Sequence, residues 1–141
     1  MFKKKIEKEK EEKIGNKNIL IAALLIHAAK IDENYTSVEK EIIKKALINL
    51  FSIDPSETEE LLKKAEKKEQ ESNQIIEFTK EIKKNSMEFR LKIIEILWKI
   101  VYSDSNNDIY ESNLIRRVCG LLYISDKDNG TIKLKIKSRI R

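Results

Sequence analysis

AKIDENYTSVEKEIIKKALINLF (residues 29–51) and VYSDSNNDIYESNLIRRVCGLLY (residues 101–123) superpose when the chain is slid along itself by 72 residues. Asp32 meets Asp104, Asn34 meets Asn106, Thr36 meets Asp108 and Glu39 meets Glu111. Ile42 and Ile43 fall on Leu114 and Ile115, and Lys44 and Lys45 on Arg116 and Arg117. Each copy runs from an apolar segment through a polar turn, with oxygen-bearing side chains at alternate positions, into an amphipathic segment. A unit found twice predicts a duplicated helical hairpin.

Working outward, ILIAALLIHAA (19–29) and FRLKIIEILWKIVY (89–102) are apolar nearly all round. Such segments belong at the centre of a bundle. Thr36 and Glu39 form a T-x-x-E capping box that opens a helix reaching about Phe51, with Val38, Ile42, Ile43, Ala46, Leu47 and Leu50 on its apolar face. Asp54 caps the next helix, with Pro55 in its first turn and Glu57 placed to close a second box. A break falls near Ser72–Asn73; the pattern resumes at Ile75, Ile76, Thr79 and Ile82, and Ser86 caps the second apolar helix. The last amphipathic helix runs from Ile109 to about Tyr123.

The chain has 141 residues, 40% of them apolar, with only three Gly and one Pro, so a single all-α domain with a proper core is expected. GTIKLKIKSRIR (130–141) departs from this pattern. It alternates apolar and basic residues like a strand but has no strand to pair with, which makes it a basic tail or an edge for another chain. The expected organisation is a charged N-terminal arm (1–17), a helical domain (18–128) and a basic C-terminal tail (129–141).

The formal charge of +5 sits at the ends. Residues 1–17 carry +3 and residues 129–141 carry +5, while residues 18–128 carry −3. That distribution argues against a nucleic-acid-binding face on the domain and leaves an anionic membrane surface as a partner for the basic tails. A single cysteine excludes an internal disulfide and suits a reducing cytoplasm. No apolar run is long enough to span a bilayer.

The polar turns admit two readings. As helix caps, Thr36 with Glu39 and Asp108 with Glu111 satisfy amides at a helix start, each cap worth about 1 kcal/mol. As ligands, Asp32, Glu39, Asp104, Asp108 and Glu111 offer an all-oxygen set, which favours weakly held Ca²⁺ or Mg²⁺ over zinc. Asp32 and Asp104 each follow the last turn of an apolar helix, where the dipole disfavours an anion by about 0.3–1 kcal/mol, so each calls for a partner. D-x-N-x-D is not an EF-hand: Ile109 stands at the glycine position and Ile115 at the position of the bidentate glutamate.

An apolar helix, the turn A-D-G-x-x-D-x-x-E and an amphipathic helix, given twice, resemble the TerB tellurite-resistance family. FSIDPSETEELLKKAE, FTKEIKKNSMEFRLKIIEILWKIVYSD and NLIRRVCGLLYISDKD resemble successive segments of that family in order and spacing, over about residues 18–128. The resemblance implies a compact bundle of about seven helices, with two pseudo-symmetric hairpins around two buried central helices. It implies a bacterial cytoplasmic protein of tellurite and chemical stress, acting through protein partners and not as an enzyme. A related domain opens a DnaJ-like membrane co-chaperone, which makes a metal-free adaptor the alternative. It also implies a metal role for Asp32 and Glu39 in the first turn and for Asp104, Asp108 and Glu111 in the second. The family's glycine is Glu33 in one copy and Ser105 in the other, and Thr36 replaces an acid, so the second turn is expected to dominate.

His27, the only histidine, is expected as a hydrogen-bonded core residue, and Cys119 as a buried small hydrophobe. Trp98 and Tyr102 belong to the second apolar helix and should be core.

Overall fold

The computed structural model describes residues 2–31, 35–72, 74–103 and 109–139, with side chains from residue 15 onward except those of residues 109–111. Seven helices account for the regular structure among them: α1 (Phe2–Lys30), α2 (Ser37–Phe51), α3 (Pro55–Glu71), α4 (Ile75–Ile82), α5 (Met87–Tyr102), α6 (Ile109–Leu121) and α7 (Asp126–Arg139).

The second half of α1 is central, with Ile21 through Ile26 fully buried. On α5, Ile93, Ile94, Leu97 and Ile100 are fully buried, and α1 packs against α5. The other helices surround this pair. α3 makes the most extensive contact with α1, α4 lies on α1 and α6, and α2 touches α1, α3 and α5.

Helix boundaries reproduce the sequence repeat. α1 and α5 end at Lys30 and Tyr102, and α2 and α6 begin at Ser37 and Ile109, an offset of 72 both times. Beyond those helices the offset shortens by one. Ser52 (φ 52°) and Tyr123 (φ 57°) take the left-handed conformation that ends each helix. Two residues later Asp54 and Ser125 cap α3 and α7 by accepting from the amides of Glu57 at 2.7 Å and Asp128 at 3.1 Å. The third helix then packs back on the first in both halves, α3 on α1 and α7 on α5. The repeat therefore keeps the expected hairpin and extends it by a third helix.

The C-terminal segment corrects the sequence reading. Residues 126–139 form α7, neither a tail nor a strand. Asn129, Ile132 and Ile136 follow helical spacing: Trp98 Nε1 donates to Asn129 Oδ1 at 2.9 Å, Ile132 packs on the core and Ile136 is 1% exposed. Leu134, equivalent to Ile136 in a two-residue alternation, is 68% exposed. Because Ile132 and Ile136 are four apart, they satisfy either period, which is what misleads. Part of the basic charge is also engaged, since Lys135 and Arg139 lie 3.8 and 3.6 Å from Glu95 on α5.

Two further expectations change. Val38 is 58% exposed, because the buried seam of α2 is Glu39, Ile43 and Leu47, one residue further on. Ile76 is 66% exposed, and Phe78 takes the buried place with Ile75, Thr79 and Ile82.

Candidate functional site

Both acidic turns join the end of a central helix to the start of an amphipathic one. Asp32, Asp104 and Asp108 lie outside the described residues. Glu39 is the third residue of α2 and Glu111 the third of α6, so the repeat holds their backbones in the same register.

Thr36 Oγ1 accepts from the Glu39 amide at 3.2 Å, and Glu39 Oε1 accepts from the Thr36 amide at 3.2 Å and its hydroxyl at 3.0 Å. The predicted capping box is thus complete, and its glutamate is only 1% exposed. At α3 the cap is one-sided: Asp54 accepts from the Glu57 amide, without the reciprocal box formed at α2.

α3 brings two more carboxylates to this corner. Glu66 accepts from the Tyr35 hydroxyl at 3.3 Å and faces Lys40 at 3.7 Å, while the Lys40 ammonium sits 4.9 Å from the centre of the Tyr35 ring. Glu69 is 7% exposed; its Oε2 accepts from Lys30 Nζ at 2.8 Å and its Oε1 meets His27 Nδ1 at 3.2 Å. Burial pushes the Glu69 carboxyl upward, but the bonds from Lys30 and His27 outweigh it and hold it below the usual carboxylate range. Burial first, then the nearby Glu66, Glu39 and Glu69 charges, push the Tyr35 phenol up. The last turn of α1 therefore carries the Lys30 cation, which complements its dipole, and together with His27 binds an acid of α3. Glu66 and Glu69 are not legible in the sequence because their partners lie 26–42 residues away.

His27 is hydrogen-bonded as expected but only partly buried, lining a cavity with Ile31 and Arg117, and its ring centre lies 6.1 Å from that of Phe78. Cys119 is 2% exposed, and burial, aided by Asp126, pushes its thiol up to about 12. Trp98 is 2% exposed and stacks on the half-buried Tyr102 with ring centres 5.7 Å apart. Among the described residues no three His, Cys, Asp or Glu side chains are grouped to hold a metal ion, and no helix is long and apolar enough to cross a membrane.

What the geometry defines is a duplicated all-α module, and the segments that join its equivalent helix ends are acidic in sequence. The chain belongs to the TerB family: the family model described as Tellurite resistance protein TerB matches residues 18–134, a span that ends inside α7. No curated protein and no solved structure matches the chain.

Proposed function

We propose that this chain is a non-enzymatic TerB-type stress-response module that acts through protein partners and holds a divalent cation weakly at its acidic turns. The observation that carries this reading is the shared 72-residue offset of the two turns, each set between equivalent helix ends. Chemistry supports it as well. Of the residues suited to nucleophilic or acid–base work, Cys119 is buried and His27 is engaged by Glu69.

The donor set fits a hard cation better at the second turn. In the first, Glu39 Oε1 already accepts twice from Thr36. In the second, Asp108 stands at the position of Thr36 and makes a third carboxylate in the sequence with Asp104 and Glu111. Asp32 and Glu39 would hold an ion at the first corner; Asp104, Asp108 and Glu111 would hold it at the second.

Calorimetric titration with Ca²⁺ and Mg²⁺ tests the ion. Wild type should release or absorb heat and gain about 1.4 kcal/mol at ten times Kd, and Asp104→Ala should lose most of both. No heat and no thermal shift at millimolar ion removes the cation from the reading.

The complete Thr36–Glu39 box favours a second reading, an adaptor domain whose acids act only as caps. Asp108→Asn and Thr36→Ser both still cap, so each should leave stability within about 0.5 kcal/mol of wild type. A large loss from Asp108→Asn counts against capping alone.

A further inference from the structure

A groove of about 510 Å³ runs between α2 and α5. Its floor is Ile42, Ala46, Leu50, Phe89 and Ile96. Lys45, Lys92 and Lys99 stand along it with one acid, Glu95, which already faces Lys99, Lys135 and Arg139. Val38, 58% exposed, extends the apolar stripe of α2 one turn beyond Ile42.

The repeat shows what belongs there. A shift of 72 carries Phe89 and Lys99 of α5 onto Lys17 and His27 of α1, and Ile42 and Lys45 of α2 onto Leu114 and Arg117 of α6. In that half of the molecule α4 packs on both α1 and α6, beside a cavity of about 430 Å³. Lys17 Nζ donates to Asn85 Oδ1 at 3.2 Å just past α4, His27 meets Phe78, and Leu114 and Arg117 share a cavity with Ile75 and Ile76. α4 suits the place because Ile75, Phe78, Thr79 and Ile82, all buried, fall at i, i+3, i+4 and i+7.

By the same shift, residues 3–10 stand where α4 would be in the first half. They carry Lys3, Ile6, Glu7 and Lys10 at those four positions, and they continue α1 without a break. They lack the face that makes α4 a cover. Among the described residues no helix covers the α2–α5 groove.

We propose that this groove receives a short amphipathic helix of a protein partner, apolar at i, i+3, i+4 and i+7 and acidic on its flanks. The apolar face repeats the way α4 packs on α1 and α6, and acidic flanks answer Lys45, Lys92 and Lys99. This rests on the reading of the chain as a partner-binding module and names the surface; it needs no ion.

The probe is a lactam-bridged, fluorescein-labelled peptide copying QIIEFTKEIKKN (74–85) with its three lysines changed to glutamate, added to the full chain without divalent ions. Anisotropy should show saturable binding with Kd below about 1 mM, and amide NMR shifts should fall on α2 and α5. The unaltered lysine-bearing peptide should bind at least about tenfold more weakly. The surface variant Lys45→Glu with Lys92→Glu should reverse that preference while keeping the fold, and Ala46→Glu should abolish binding of either peptide. No saturation by about 1 mM, shifts on other helices, or an unchanged preference in the double variant each overturn the proposal. So does a tenfold gain in affinity from Phe2→Ser with Ile6→Ser, which would make the chain's own arm the occupant. Uptake of an ion without the peptide overturns the groove and leaves the ion reading standing; uptake of the peptide alone does the reverse.

Discussion

Glu69 shows how a single side chain can serve two helices. It sits on α3, yet its partners Lys30 and His27 are on the last turn of α1. Glu69→Gln keeps the shape and removes the charge, so it should cost about 1–2 kcal/mol in urea unfolding. The sign with pH follows from the lowered carboxyl. Stability from the ionised form is full above the ordinary glutamate value, about 4.3, and is lost as pH falls through the lower folded one. The gap between wild type and Glu69→Gln should therefore close on acidification; a gap that widens contradicts this account. Thr36→Ala should cost about 1 kcal/mol by thermal denaturation, since it opens the box with Glu39. Ser52 is strained by its positive φ, so Ser52→Gly should raise stability by about 0.5–1 kcal/mol. The Thr36 box was legible because capping depends on residues three apart. The Glu69 network was not, because nothing in a run of lysines and glutamates says which one faces a histidine 42 residues earlier.

Among the elements, α7 separates local pattern from packing. Alternation makes Leu134 and Ile136 equivalent; a helix puts them about 200° apart. Ile136→Ala should cost about 2–4 kcal/mol, whereas Leu134→Ala should stay within about 0.5 kcal/mol, by chemical denaturation. Equal losses would restore the strand reading. One sign of the helix was present in the sequence. Ser125 and Asp128 form an S-x-x-D start with Asp126 in the first turn, one residue short of the position the repeat assigns to Asp54. The slip of one residue after α2 and α6 hid the correspondence. Val38 and Ile76 carry a similar lesson: each neighbours a buried position, Glu39 and Ile75, and a step of 100° decides which of two adjacent residues faces inward.

For the molecule as a whole, Trp98 and Cys119 are single built-in reporters on neighbouring helices, both nearly fully buried. Because α7 packs on α5 and α6, its loss should open both sites. Deleting residues 126–141 should shift Trp98 emission to the red and speed thiol labelling of Cys119 at least about tenfold; unchanged labelling would mean that α7 does not seal the core. In the intact chain, labelling should be slow near neutral pH, since burial holds the thiol far from ionising.

Helical class, the duplicated unit, its central apolar helices and most caps were determined by sequence alone. Each rests on contacts within one or two turns, or on a period that repeats in the chain. Tertiary structure alone decided that α7 is the third helix of a repeat, that α4 packs on α1 and α6, and that Glu69 binds His27 and Lys30. Those outcomes depend on which faces meet across the bundle, and residues far apart in sequence leave no local trace of meeting.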